Sequence, residues 1–129
     1  MKDFLDFKKV TVELVDAEII CTYYKDGFTI DEEDAREIDE AQQLLCGGND
    51  VGMMIDLYNV KNKISREAKD YFTKKGKMLA YTKAVAVVQK SGQDNLPGGI
   101  LESFKKPIYP VKNFETRKEA IQWLKSVEG

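Results

Sequence analysis

The sequence predicts an α/β fold, a mixed and mainly parallel sheet of four to five strands with an N-terminal β-hairpin and four flanking helices. Three observations carry this. Two β-branched and aromatic runs, Val10 to Val15 and Ile19 to Tyr24, are separated only by Asp16-Ala17-Glu18, the signature of an antiparallel hairpin. Two later runs, Val51 to Leu57 and Ala84 to Val88, are almost wholly apolar, as strands covered on both faces are. Amphipathic stretches of helical period alternate with the later runs, and that order implies parallel strands joined by right-handed crossovers.

Each element has its own local reason. Lys25-Asp26-Gly27 ends the second strand. The first turn of a helix follows at Asp31-Glu32-Glu33-Asp34, where acidic residues complement the macrodipole; Ala35, Ile38, Ala41, Leu44 and Leu45 form its apolar stripe and Gly47-Gly48 stops it. Asp56 interrupts the Val51 to Leu57 run near its carboxyl end. Ser65 is placed to cap a second helix through Ala68, Tyr71 and Phe72, expected to run on to Met78 and Leu79 in spite of Gly76. Asp94 or Asn95 followed by Pro97 suits a short third helix reaching about Phe104. Lys106 to Pro110 is an extended connection, and Val111 to Phe114 is the last strand. Thr116 with Glu119 makes a capping box for a C-terminal helix whose Ala120, Trp123, Leu124 and Val127 lie on one face. No repeat, low-complexity tract or linker divides residues 1–129, so a single domain is expected.

Composition narrows the function. Acidic residues number 22 and basic residues 20, a net charge of −2, so no global field attracts nucleic acid or an anionic membrane. Met1 to Lys9 has no leader-like apolar run, and no stretch reaches the roughly 20 apolar residues of a membrane span. Cys21 and Cys46 stand far apart without a C-x-x-C pattern, which points to the cytoplasm and free, buried thiols. The chain has no histidine. Ser-His-Asp and Cys-His nucleophiles and His-ligated zinc are therefore excluded, and no metal or cofactor is expected. Gly47-Gly48 lacks the Lys-Ser/Thr of a P-loop, no G-x-G-x-x-G is complete, and the acidic run lacks calcium-loop spacing.

The candidate site lies at the carboxyl ends of the strands, where open α/β sheets bind ligands. Asp56, Tyr58, Asn59, Ser65, Arg66, Lys90 and Ser91 are the polar groups there. An acid at the end of an apolar strand needs partners to offset its desolvation. Two readings of Asp56 stay open: a carboxylate satisfied by amides of the following turn, or one that faces a ligand. Pro107-Ile108-Tyr109-Pro110 matches P-x-x-P but joins a helix to a strand, which favours an ordered crossover. Asp31 to Glu40 holds seven acids against Arg36, whereas Lys61 to Lys83 holds eight basic residues against Glu67 and Asp70. Neighbouring helices would compensate one another; separated, Lys69, Lys74, Lys75 and Lys77 would meet an acidic partner or an anionic lipid surface.

Met54-Ile55-Asp56-Leu57-Tyr58-Asn59-Val60 with Ser65-Arg66-Glu67-Ala68, the Ala84 to Val88 strand, Lys106 to Phe114 and Glu119 to Leu124 together resemble the SpoIIAA-like branch of the STAS superfamily, bacterial sulfate-transporter and anti-sigma-factor-antagonist domains often grouped with Sec14-like proteins. The resemblance covers nearly the whole chain and implies binding rather than chemistry. In anti-sigma-factor antagonists a serine of a D-S-S-G-L-G-like motif, opening the helix after the central strand, is phosphorylated. Ser65 holds the similar place, without the preceding acid or the following Gly-Leu-Gly.

Two expectations of different class follow. In the first, the protein is a non-enzymatic regulatory module that binds another protein through the Tyr58 to Arg66 loop and the second helix, with a homodimer compatible. In the second, it carries or senses a small apolar or lipid-like ligand between the sheet and the Gln93 to Phe104 segment, where Leu96, Ile100, Leu101 and Phe104 also suit contact with a membrane surface. An enzyme using Asp56 or Tyr58 as base ranks third.

Overall fold

The expected hairpin forms from β2 (Val10–Val15) and β3 (Ile19–Tyr24), paired Val15 to Ile19 across the turn, in a computed structural model that describes residues 3–90 and 109–127. Asp16 and Ala17 take φ of 55° and 60°, the sign pattern of a type I′ turn, whose twist matches that of the strands. A strand the sequence reading missed, β1 (Phe4–Asp6), adds antiparallel to β2. Beyond β3 come β5 (Val51–Asp56), β7 (Thr82–Val88) and β8 (Val111–Phe114), all parallel. Among the described residues the sheet is thus six-stranded, β1-β2-β3-β5-β7-β8, where four to five strands were expected. Two short strands, β4 (Thr29–Ile30) and β6 (Lys63–Ile64), pair separately and were also unforeseen.

Helix α1 (Glu32–Cys46) starts at a reciprocal cap: Asp31 Oδ1 accepts from the Asp34 amide at 2.9 Å and Asp34 Oδ2 from the Asp31 amide at 3.0 Å. It stops at Gly47 in the left-handed region, φ 58°. The C-terminal helix α3 (Arg117–Ser126) is capped by Thr116, whose hydroxyl accepts from the Glu119 amide at 3.2 Å. The third helix expected near Asp94 to Phe104 lies outside the described residues.

The second helix departs from expectation. It is α-helical only over Arg66–Asp70 (α2), passes through a π turn at Tyr71–Lys75, and after Gly76 becomes a 3-10 turn at Lys77–Ala80. The cause is Asp39 of α1, 2% exposed. Its carboxylate accepts from the Lys77 amide at 3.1 Å, the Met78 amide at 3.0 Å and Gln43 Nε2 at 2.7 Å. A continuous α-helix would give those amides to its own carbonyls; here the chain breaks to satisfy a buried carboxylate instead. Gly76 permits the approach, since a Cβ there would stand 2.8 Å from Asp39 Oδ1 and 3.2 Å from the Tyr71 carbonyl.

The two faces of the sheet are covered differently. Val10, Val12, Ile20, Met53, Val85 and Val87 pack with Ala35, Ile38 and Ala41 of α1 and Ala68 of α2. On the other face Ile19, Cys21, Met54, Ala84, Ala86 and Val88 pack with Ala120 and Leu124 of α3. Helix α3 sits close: a Cβ on Gly52 would meet Leu124 Cδ2 at 3.1 Å. Both cysteines are buried and free, as expected. Burial pushes the Cys21 thiol up to about 11, so it stays protonated at neutral pH. The acidic and basic helical segments are neighbours, with Lys75 Nζ 4.0 Å from Glu32; Lys9, just ahead of β2, makes a separate, part-buried pair with Asp34 at 2.6 Å. An exposed pair such as Lys75 and Glu32 contributes little stability.

Candidate functional site

The carboxyl end of β5 delivers Asp56 toward the α3 face, where it is 4% exposed. The alternation of the strand puts it there, because Gly52 and Met54 point the same way, onto α3. Asp56 Oδ1 accepts from the Tyr58 amide at 3.0 Å, the turn-amide partner the sequence suggested. Its other oxygen is taken by a residue the sequence reading missed, Arg117, whose Nε donates to Oδ2 in a short charge-assisted bond.

Arg117 is the first residue of α3, placed by the Thr116 cap immediately after β8. Its guanidinium carbon lies 4.6 Å from the Tyr23 ring centroid. Tyr23 donates its hydroxyl to Glu13 Oε1 at 2.8 Å. Burial, then the neighbouring Cys21 and Glu13, drive the Tyr23 phenol well above its ordinary value, so it remains a donor. A chain of contacts thus crosses the α3 face from the Tyr58 turn through Asp56, Arg117 and Tyr23 to Glu13 on β2.

Open space flanks Arg117 on both sides. A depression of about 350 Å³ is lined by Tyr58, Val88, Glu115, Thr116 and Arg117. Another, of about 420 Å³, is lined by Phe4, Thr11, Glu13, Tyr23 and Arg117. Tyr58 is 46% exposed and Phe4 49%, so an exposed aromatic side chain stands in the wall of each.

The remaining expected site residues are distributed elsewhere. Asn59 occupies the left-handed position of the turn after β5, with φ 57°. Ser65 caps α2, its hydroxyl accepting from the Ala68 amide at 3.0 Å, and its own amide donates to the Ile30 carbonyl at 2.9 Å. Arg66 is exposed at the start of that helix. Ser65 and Arg66 therefore belong to the layer of α1 and α2, while Asp56 points to the α3 side; the structure does not gather them into one cluster. Lys90 is exposed just beyond β7. Ser91, Leu96, Ile100, Leu101 and Phe104 lie outside the described residues.

The Tyr58 to Arg66 loop is held firmly. Asn62, buried, accepts from the Phe28 amide at 2.9 Å and donates to the Lys25 carbonyl at 2.9 Å. The Lys61 amide donates to Asp26, and β6 pairs with β4. Under the second helical segment, Tyr24, Asp39, Gln42, Phe72, Met78 and Leu79 border a cavity of about 40 Å³. Small-molecule sites typically run about 300–1,000 Å³, well above this volume; the pocket expected beneath Gln93 to Phe104 lies outside the described residues. Among the described residues no helix is long and apolar enough to cross a membrane, and no cluster of three or more His, Cys, Asp or Glu stands ready for a metal ion.

Comparison with known proteins agrees with this architecture. The family described as "Domain of unknown function (DUF7793)" matches residues 13–128. Among solved structures, an uncharacterized protein of the DUF3478 family with a SpoIIAA-like fold, from Shewanella loihica PV-4, is similar with a TM-score of 0.61 at 16% identity, over 89% of this chain and 91% of that one. At that identity the likeness carries the fold alone: the chain has a SpoIIAA-like fold. None of the curated proteins matches it.

Proposed function

The chain belongs to the DUF7793 family, and we propose that it is a non-enzymatic regulatory module of the STAS type that binds a protein partner at the carboxyl end of its sheet, on the side of Tyr58 and Arg117. The observation that carries this reading is the pair Asp56 and Arg117. A buried carboxylate is spent on holding a turn amide and a largely exposed arginine, not on facing a substrate. Firm loops support it too, because a surface that does not reorder on association loses less entropy in binding. Burial pushes the ionisation of both Tyr23 and Cys21 further above neutrality, which suits neither as an acid or base at physiological pH.

The test is a photo-reactive phenylalanine analogue in place of Tyr58, irradiated in the protein's own host and compared with the same analogue at exposed Leu44 on α1. The reading predicts a discrete protein-sized adduct from position 58 and none from position 44. Adducts of lipid mass at position 58 would replace the regulator with the carrier; equal labelling from both positions would remove the site.

A further inference from the structure

Arg117 is built differently from an ordinary surface arginine. Its side chain is 61% exposed, yet its position is fixed at two points, by Asp56 at Nε and by the Tyr23 ring beneath the guanidinium. Long exposed cations ordinarily give up rotamer entropy on binding an anion; here part of that loss has already been met in folding. Of the five guanidinium N–H groups, the Nε one is the only one with a hydrogen-bond partner among the described residues, and both depressions described above are lined by this residue. A planar fork of this kind fits a carboxylate or a phosphate with two parallel hydrogen bonds.

The surrounding charges choose between those two. Glu115 lines the depression with Tyr58, Glu13 lines the one with Phe4, and Asp56 lies directly behind the guanidinium. The attraction to Arg117 and the repulsion from the carboxylates both scale with the charge of the ligand, so what turns the balance against a dianion is that one cation is set among three carboxylates. Tyr58, Val88, Phe4 and Tyr23 supply apolar surface on either side.

We infer that Arg117 is the docking point for a single carboxylate of the partner polypeptide, an acidic side chain or chain terminus with an aromatic or apolar neighbour, and that it discriminates against phosphate. The inference rests on the proposed partner-binding role and names the partner's chemistry.

It is tested on the full-length ¹⁵N-labelled protein, titrated with N-acetyl-phenylalanine and separately with phenyl phosphate, reading the Arg117 side-chain Nε–H and the Tyr58 and Thr116 amides. N-acetyl-phenylalanine should produce saturable shifts at these groups with a Kd on the order of millimolar, as a small probe would. Arg117→Lys, which keeps a cation beside Asp56 but loses the fork, should weaken it roughly tenfold. Phenyl phosphate should bind more weakly, and Glu115→Gln should narrow the gap between the two probes. Absent or scattered shifts, indifference to Arg117→Lys, or phosphate binding as tightly as carboxylate would each overturn the inference. Tyr58 adducts without carboxylate binding would leave the partner surface standing and remove only this chemistry.

Discussion

Asp39 and Asp56 pose the same physical problem and solve it in opposite ways. Both are aspartates whose side chains are shut from water, and a buried carboxylate is costly unless its oxygens are satisfied. Asp39 is satisfied inward, by the Lys77 and Met78 amides and the Gln43 side chain, under a chain that bends from α to π to 3-10 geometry to reach it. Asp56 is satisfied half inward, by the Tyr58 amide, and half by an arginine whose far side stands in solvent. One acid closes the layer of α1 and α2. The other holds a cation open at the rim of a groove. On the proposed reading, what sets Asp56 apart from Asp39 is not its burial but what its partner exposes.

The largest expected effect falls on the closed side. Asp39→Ala strands the amides of Lys77 and Met78 and should cost about 3 kcal/mol, measured as a loss of unfolding free energy in urea. A cost under about 1 kcal/mol would mean the π and 3-10 turns form for another reason. Gly76→Ala should be smaller, about 2 kcal/mol, because the added methyl meets both Asp39 Oδ1 and the fixed Tyr71 carbonyl. If it proves neutral, the glycine is not what lets the chain close over Asp39.

The smallest effect is one of pH and concerns Asp34, an acid at the edge of the closed side. Burial works against its ionisation, but the Asp31 amide and Lys9 prevail and hold its carboxyl below the ordinary value of 3.8. A carboxyl whose pKa is lowered by folding contributes stability that is fully present above the unfolded value and is lost as pH falls through the folded one. Thermal melts should therefore fall below about pH 4 in the native chain, and Asp34→Asn should lack that part of the decline. Identical acid profiles for the two would show that Asp34 contributes nothing to it.

Half of the open site was legible in the sequence. Asp56 stood out as a charge in an apolar run, and its turn-amide partner followed from local geometry. Arg117 did not, because it lies 61 residues away and the first residue of a capped helix carries no signal for where its side chain goes. The Thr116 to Glu119 box located the helix start; it could not reveal that β8 and β5 bring that start over Asp56. Ser65 was read correctly as a cap, and only the layering of α2 onto the other face separates it from Asp56.

In the fold, strong periodicity was reliable and interruption was not. The alternating and apolar runs gave β2, β3 and β8 their observed bounds. The stripe through Tyr71 and Phe72 continued past Gly76 in the sequence, but a tertiary hydrogen-bond demand from Asp39 overrode it. β1, β4 and β6 have three, two and two residues, too short for any alternation to register.

The most direct test of the central claim, that the open pair serves binding more than stability, joins the two kinds of readout in one variant. Adduct formation from the photo-reactive residue at position 58 would be measured with native Arg117 and with Arg117→Lys, alongside the melting temperature of each. The account predicts a severalfold loss of the partner adduct with the melting temperature nearly unchanged. An adduct yield indifferent to the substitution, or a melting temperature that collapses with it, would contradict the account.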